Sequence, residues 1–141
     1  MSEDAANRMA SFCADETGTR RPKTVYDYFW QAPRRSRKEE TGDGKLVFGA
    51  NGNCAVFFLQ AAEGRISEAS FRCTSCFTLV AFCEHVSELA IGLSGIEARK
   101  LDPDRLVGLH PEVPSHLHNR AALATAAFQE AVQALIDGGV L

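Results

Sequence analysis

Between Arg65 and Leu93 the chain changes its hydrophobic period without a break. Arg65–Cys73 alternates as a strand does, with Ser67, Ala69, Phe71 and Cys73 on one face and Ile66, Glu68, Ser70 and Arg72 on the other. From Cys76 to Leu93, Leu79, Cys83, Val86, Ala90 and Leu93 fall on one stripe at helical spacing. Glu84 and Glu88 lie away from that stripe, and His85 beside them is expected to face solvent. Cys73 and Cys76 form a Cys-x-x-Cys pair at the junction. Cys76 stands where the first helical turn should begin, and the unpaired N–H groups and positive dipole end of a helix favour a thiolate over a thiol.

The segments on either side complete an α+β pattern. Residues 1–23 are polar and irregular and read as a mobile arm carrying Cys13. Thr24 to Trp30 reads as a short helix that lays its aromatic residues on the domain and is stopped by Pro33. Arg34, Arg35, Arg37 and Lys38 form a basic cluster, which could dock an acidic partner or simply be a solvated charge run. Lys45–Phe48 reads as a short strand, Asn51-Gly52 as a turn, Ala55–Ala61 as a buried strand and Glu63-Gly64 as the next turn. With Arg65–Cys73 this makes a three-stranded antiparallel meander. Gly92 and Gly95 end the long helix, one or two short helices occupy 95–110, and a last helix runs from Asn119 to about Asp137. Strands first and helices after predict a small three-stranded antiparallel sheet covered by helices.

A chain of 141 residues with 45% hydrophobic content fits one core, here a single domain over 24–141. A formal charge of -3 offers no general attraction to nucleic acid, and no apolar run is long enough to span a bilayer. With no secretory leader in the sequence, the expectation is a cytoplasmic protein. Five cysteines, Cys13, Cys54, Cys73, Cys76 and Cys83, are an odd number, which argues against a disulfide framework and leaves metal, catalysis or packing.

Each candidate has two readings. Cys54 follows a glycine turn, where a thiolate could project toward a metal or a small hydrophobe could be buried. Cys73 shares its strand face with Ala69 and Phe71 and reads as core before ligand, and Cys83 on the apolar stripe reads as core. His110, His116 and His118 surround a proline-broken loop, and neutral histidine is a common zinc and iron ligand. Asn119 reads as the N-cap of the last helix. There is no phosphate loop, dinucleotide fingerprint, nucleophile-elbow serine or paired-carboxylate motif, so no enzyme is expected.

From about Val25 onward the order of these features resembles the U-type iron–sulfur cluster assembly scaffolds, the IscU and NifU N-terminal-domain family. Tyr28-Phe29-Trp30-Gln31-Ala32-Pro33-Arg34 is similar to the family's aromatic helix, and Gly52-Asn53-Cys54 to its glycine loop with the first cysteine. Glu63-Gly64-Arg65-Ile66 and Ala69-Ser70-Phe71-Arg72 resemble its hairpin and third strand. Cys76 takes the place of the second cysteine, and His118 that of the histidine before the final helix. The resemblance implies an IscU/NifU-N-like fold and a protein that takes sulfur from a cysteine desulfurase, with Cys76 as acceptor. It further implies iron, a [2Fe–2S] cluster or zinc held by Cys54, Cys76 and His118, and delivery to apo iron–sulfur acceptor proteins. The sequence departs from the family at Cys54-Ala55-Val56, which lacks the aspartate, and at Asn119, which replaces the third cysteine. Cys73, His116 or Asn119 would then supply further ligation, or a homodimer would complete the set. The competing readings are a degenerate zinc-binding or metal-free interaction protein of the same fold, and a thiol redox protein using Cys73 and Cys76.

Overall fold

The computed structural model describes residues 12–14, 20–34 and 44–141 of the chain. Strands β1 (Phe12–Ala14) and β2 (Arg20–Pro22) pair antiparallel, so part of the expected arm is ordered as a two-stranded ribbon. The rest of that arm, the Cys13 thiol and the side chains of the basic cluster at 34–38 lie outside the described residues.

Helix α1 spans Val25–Gln31. At its start the Asp27 carboxylate accepts from the Thr24 N–H at 2.8 Å, satisfying a donor that the first turn leaves free. The Arg21 guanidinium hydrogen-bonds the same carboxylate, and with Thr24 it holds the Asp27 pKa down at about 2. Proline at residue 33 cannot continue the α-helix, and the chain leaves through a 3-10 turn at Ala32–Arg34. The expected aromatic packing is only partly realised. Tyr28 is fully buried, whereas Tyr26 and Trp30 are 61% and 58% exposed.

Strands β3 (Val47–Phe48), β4 (Cys54–Ala62) and β5 (Arg65–Cys73) form the predicted antiparallel sheet in the order β3-β4-β5. Asn51 and Gly52 both have left-handed backbone angles in the loop before β4, with φ of 62° and 74°, as the Asn-Gly signal required. Glu63 and Gly64 do the same between β4 and β5, with φ of 55° and 74°. The expected face assignment of β5 fails at its beginning. Gln60 pairs with Glu68 but Ala61 pairs with Ile66, so Ser67 is an extra residue. This bulge turns Ile66 into the core and leaves Ser67 outside.

Helix α2 (Phe77–Ala90), the short helices α3 (Gly95–Arg99) and α4 (Pro103–Gly108), and α5 (Asn119–Asp137) follow. Phe57 on β4 meets Phe71 of β5 and Phe128 of α5, with ring centroids 5.9 and 5.8 Å away. Leu79, Phe82, Cys83 and Val86 of α2 and Leu123, Ala124, Ala127 and Val132 of α5 close the core around them. Burying one such aromatic ring contributes about 1.5–3 kcal/mol. The architecture is therefore α+β, with one face of a three-stranded sheet packed on helices. Among the described residues no helix is long and apolar enough to cross a membrane.

Candidate functional site

Three of the cysteines lie near one end of the sheet. Cys54 opens β4 and Cys73 closes β5, and the register sets Ala55 opposite Cys73. Thr74 ties the two strand ends together. Its N–H donates to the Cys54 carbonyl at 3.1 Å, and its hydroxyl accepts from the Cys54 N–H at 3.3 Å and donates to Asn53 Oδ1 at 3.0 Å. The chain then turns through Cys76, which is the N-cap residue of α2 rather than its first helical residue. The Cys76 carbonyl accepts the Val80 N–H at 2.9 Å, and Phe77 behind it is exposed. Cys54, Cys73 and Cys76 are all half-buried free thiols.

Alternation along β5 turns Cys73 to the same side as Phe71 and Ala69, toward α2. There it meets the buried Cys83. Burial pushes the Cys83 thiol well above its ordinary range, and a side-chain hydrogen bond with Cys73 pushes the same way, as do the charges available to Cys73, Cys76 and Glu84. Cys83 packs inside the apolar core, as its place on the helical stripe predicts. Alternation turns Cys54 to the opposite face from Cys73, where it lines an open cleft of about 490 Å³ with Gly44, Leu46, Phe58 and Arg72, and Cys73 only borders that cleft.

The histidines divide differently from the sequence expectation. His118 precedes α5 and is half-buried, and its Nε2 hydrogen-bonds the Val113 carbonyl at 3.1 Å. His116 is exposed. Asn119 lies inside the first turn of α5 and accepts from Arg120 at 2.7 Å, so it is not the N-cap. A 3-10 turn at Ser115–Leu117 feeds the helix, leaving His118 at the cap position with helical backbone angles. Among the described residues no group of three or more His, Cys, Asp or Glu side chains stands at metal-holding spacing. The donors are soft enough for iron or zinc. They do not form a ready-made cage.

His85 and His110 instead form a buried polar chain. His85, expected at the surface, is 1% exposed, as is Glu84 beside it. The reason is that α2 is covered on two sides, by the sheet and α5 on one and by α1 on the other. His85 Nδ1 lies 2.7 Å from His110 Nε2, and His110 Nδ1 lies 3.0 Å from Glu112 Oε2. Tyr28 of α1 stacks on His85 at 4.1 Å and meets His110 edge-on at 5.6 Å. Its hydroxyl donates to Glu88 Oε2 at 2.8 Å, and Gln31 Nε2 donates to Glu84 Oε2 at 2.7 Å. Lys23 Nζ reaches Glu88 Oε1 at 3.1 Å. The sequence did hold a signal for this: a helix bearing Tyr28 and Gln31 has to land somewhere, and Glu84, His85 and Glu88 offer matching polar groups on one side of α2.

No protein-family model matches the sequence. No curated protein matches it either. Among solved structures the chain is similar to a hypothetical protein, at 14% sequence identity and a TM-score of 0.57, over 77% of this chain and 96% of that one. It is also similar to a nitrogen-fixing NifU-like protein (N-terminal) from Brucella abortus, at 15% identity and a TM-score of 0.49, over 80% of this chain and 87% of that one. The first likeness shows a shared fold. Fold and site together define an α+β domain with three half-buried cysteines near the junction of sheet and helix.

Proposed function

We propose that the protein is a scaffold of the iron–sulfur assembly type, which accepts sulfur on Cys76 and holds iron or a nascent [2Fe–2S] cluster as cargo. Cys54, Cys76 and His118 are the ligands this reading assigns, with Cys73, His116 and Asn119 as further candidates. The single observation that carries it is that Cys54, Cys73 and Cys76 all fall where two strand ends meet the start of α2, with Cys54 on an open cleft. Thiolates from separate elements suit soft metals, and an accessible site suits cargo that must be handed on. The motif resemblance at Gly52-Asn53-Cys54, Cys76 and His118 supports the same reading. The sulfur donor is a cysteine desulfurase and the recipients are apo iron–sulfur proteins. The protein itself catalyses no covalent turnover of a small substrate, and it works in the cytoplasm. Because the described donors form no closed cage, loading requires the thiols to close on the cargo or a second copy to complete the set.

Anaerobic reconstitution with ferrous iron and sulfide tests this. Sulfur-to-iron charge-transfer bands are expected in the visible spectrum, and Cys76→Ser should abolish them. Bands of undiminished intensity in that variant would remove Cys76 from the site. Absence of bands in the unaltered protein, with stoichiometric zinc after purification, would favour the degenerate zinc-binding reading instead.

A further inference from the structure

The helices pack on the face of the sheet that carries Ala55, Phe57 and Phe71. Alternation and register set a second row of side chains on the opposite face. β4 contributes Cys54, Val56 and Phe58 to it, and β5 places Arg72 opposite Val56 and Ser70 opposite Phe58. β3 adds Phe48, the cross-strand partner of Cys54. This face is uneven. Leu46, Cys54, Val56 and Phe58 line the cleft of about 490 Å³, whereas Phe48 stands just outside it and is 73% exposed. Among the described residues no other phenylalanine, tyrosine or tryptophan is so exposed.

A single exposed apolar side chain is ordinary, but a ring standing beside an apolar hollow large enough for it makes a knob and a hole on one surface. Such a surface is self-complementary. A twofold axis lying in the contact plane between knob and hole carries each Phe48 into the cleft of the other copy. Identical charges then approach one another as well, so a contact of this kind needs a face balanced in charge. The residues that alternation directs here include one exposed cation, Arg72, and one exposed anion, Glu68. Each Phe48 ring would bury roughly 150 Å², and specific interfaces begin at about 1,000 Å² in total, so Leu46, Phe58 and their margin make a contact at the lower end of that range. That size suits a reversible association.

We propose that this sheet face is a dimerisation surface, in which Phe48 of each copy seats in the cleft of the other and covers Cys54 there. The contact needs neither a metal nor the sulfur-accepting role of Cys76, so it stands apart from the scaffold reading.

Sedimentation velocity on the full chain, reduced and with no metal added, tests this over about 1–200 µM, where a monomer–dimer equilibrium with a Kd of about 10 µM is expected. Phe48→Ser removes the knob, and Leu46→Lys puts a charge at the hole. Both positions are exposed, so both variants should keep the circular-dichroism spectrum and the thermal melt of the unaltered chain. Each should weaken the dimer by about tenfold or more. Labelling by excess N-ethylmaleimide, located by peptide mass mapping, gives a second reading. Cys54 of the unaltered chain should label about fivefold more slowly at the highest concentration than at the lowest, Cys76 should not, and Phe48→Ser should abolish the difference. A chain that stays monomeric throughout overturns the proposal and leaves the face to a different partner or to a segment of its own chain. A dimer that survives both substitutions joins through another surface and overturns it too. So does a dimer whose Cys54 labels at the monomer's rate.

Discussion

A carboxylate cannot donate, so Glu112, which already accepts the Val25 N–H at 2.9 Å, requires the Nδ1 of His110 to carry a hydrogen. Neutral His110 then accepts at Nε2, and His85 donates to it from Nδ1. The order of the whole chain follows from the one residue at its wet end. Burial pulls the His110 pKa below its ordinary value of 6.5, partly opposed by the nearby Glu112 carboxylate. A folded value below the unfolded one means that the unfolded state binds more protons as pH falls. The stabilisation is fully present above the unfolded value and is lost as pH drops through the folded one. The urea midpoint should therefore fall when pH is lowered from about 7.5 to about 5.5, and His110→Gln should make that dependence shallower. A variant with the unaltered slope would place the pH sensitivity elsewhere.

At the scale of elements, the pieces that followed local rules were legible and those that needed a neighbour were not. The two left-handed turns at Asn51-Gly52 and Glu63-Gly64, the breaks at Pro33 and Gly92, and the span of α5 are written in short stretches of residues. The bulge at Ser67 is not, because alternation alone cannot reveal where a partner strand slips. Nor is the burial of Glu84 and His85, because their polarity only makes sense once Tyr28 and Gln31 lie on them. The candidate site divides along the same line. Spacing identified Cys73 and Cys76, but the faces that Cys54 and Cys73 take depend on how β4 and β5 are registered. Thr74 was not singled out at all, although it joins both strand ends through its backbone and hydroxyl. Thr74→Val keeps the shape and removes the hydroxyl, leaving Asn53 Oδ1 and the Cys54 N–H without it. The expected loss is about 1–2 kcal/mol in chemical denaturation, with weaker charge-transfer bands after reconstitution. Unchanged stability and unchanged bands would show that the Thr74 hydroxyl does not hold Cys54 in place.

Across the whole molecule, two kinds of attachment hold the helices. α5 is anchored by Leu123, Ala124, Ala127, Phe128, Ala131 and Val132 inside the apolar core. α1 buries Tyr28, stacks Phe29 on Phe77 of α2 at 4.5 Å, and adds polar links from Gln31 to Glu84, from Lys23 and Tyr28 to Glu88, and from Val25 to Glu112. A helix that contributes fewer buried apolar side chains and more polar links near water opens at lower free energy than one anchored by many packed apolar side chains. Amide exchange should therefore release α1 before α5, with opening of α1 cheaper by about 2 kcal/mol or more. Acid should widen the gap. Undocking α1 lifts Tyr28 off His85 and His110 and lets water reach them, so the opened state can take up protons that the docked state excludes. By the same linkage, lowering pH from about 7.5 to about 5.5 favours that opening, and His110→Gln should reduce the shift. The measurement is hydrogen exchange followed by mass spectrometry on peptides covering 25–31 and 119–137, at both pH values and corrected for the intrinsic pH dependence of exchange. Equal opening free energies for the two helices at both pH values would mean that α1 is part of the cooperative core and that the histidine chain does not govern its docking.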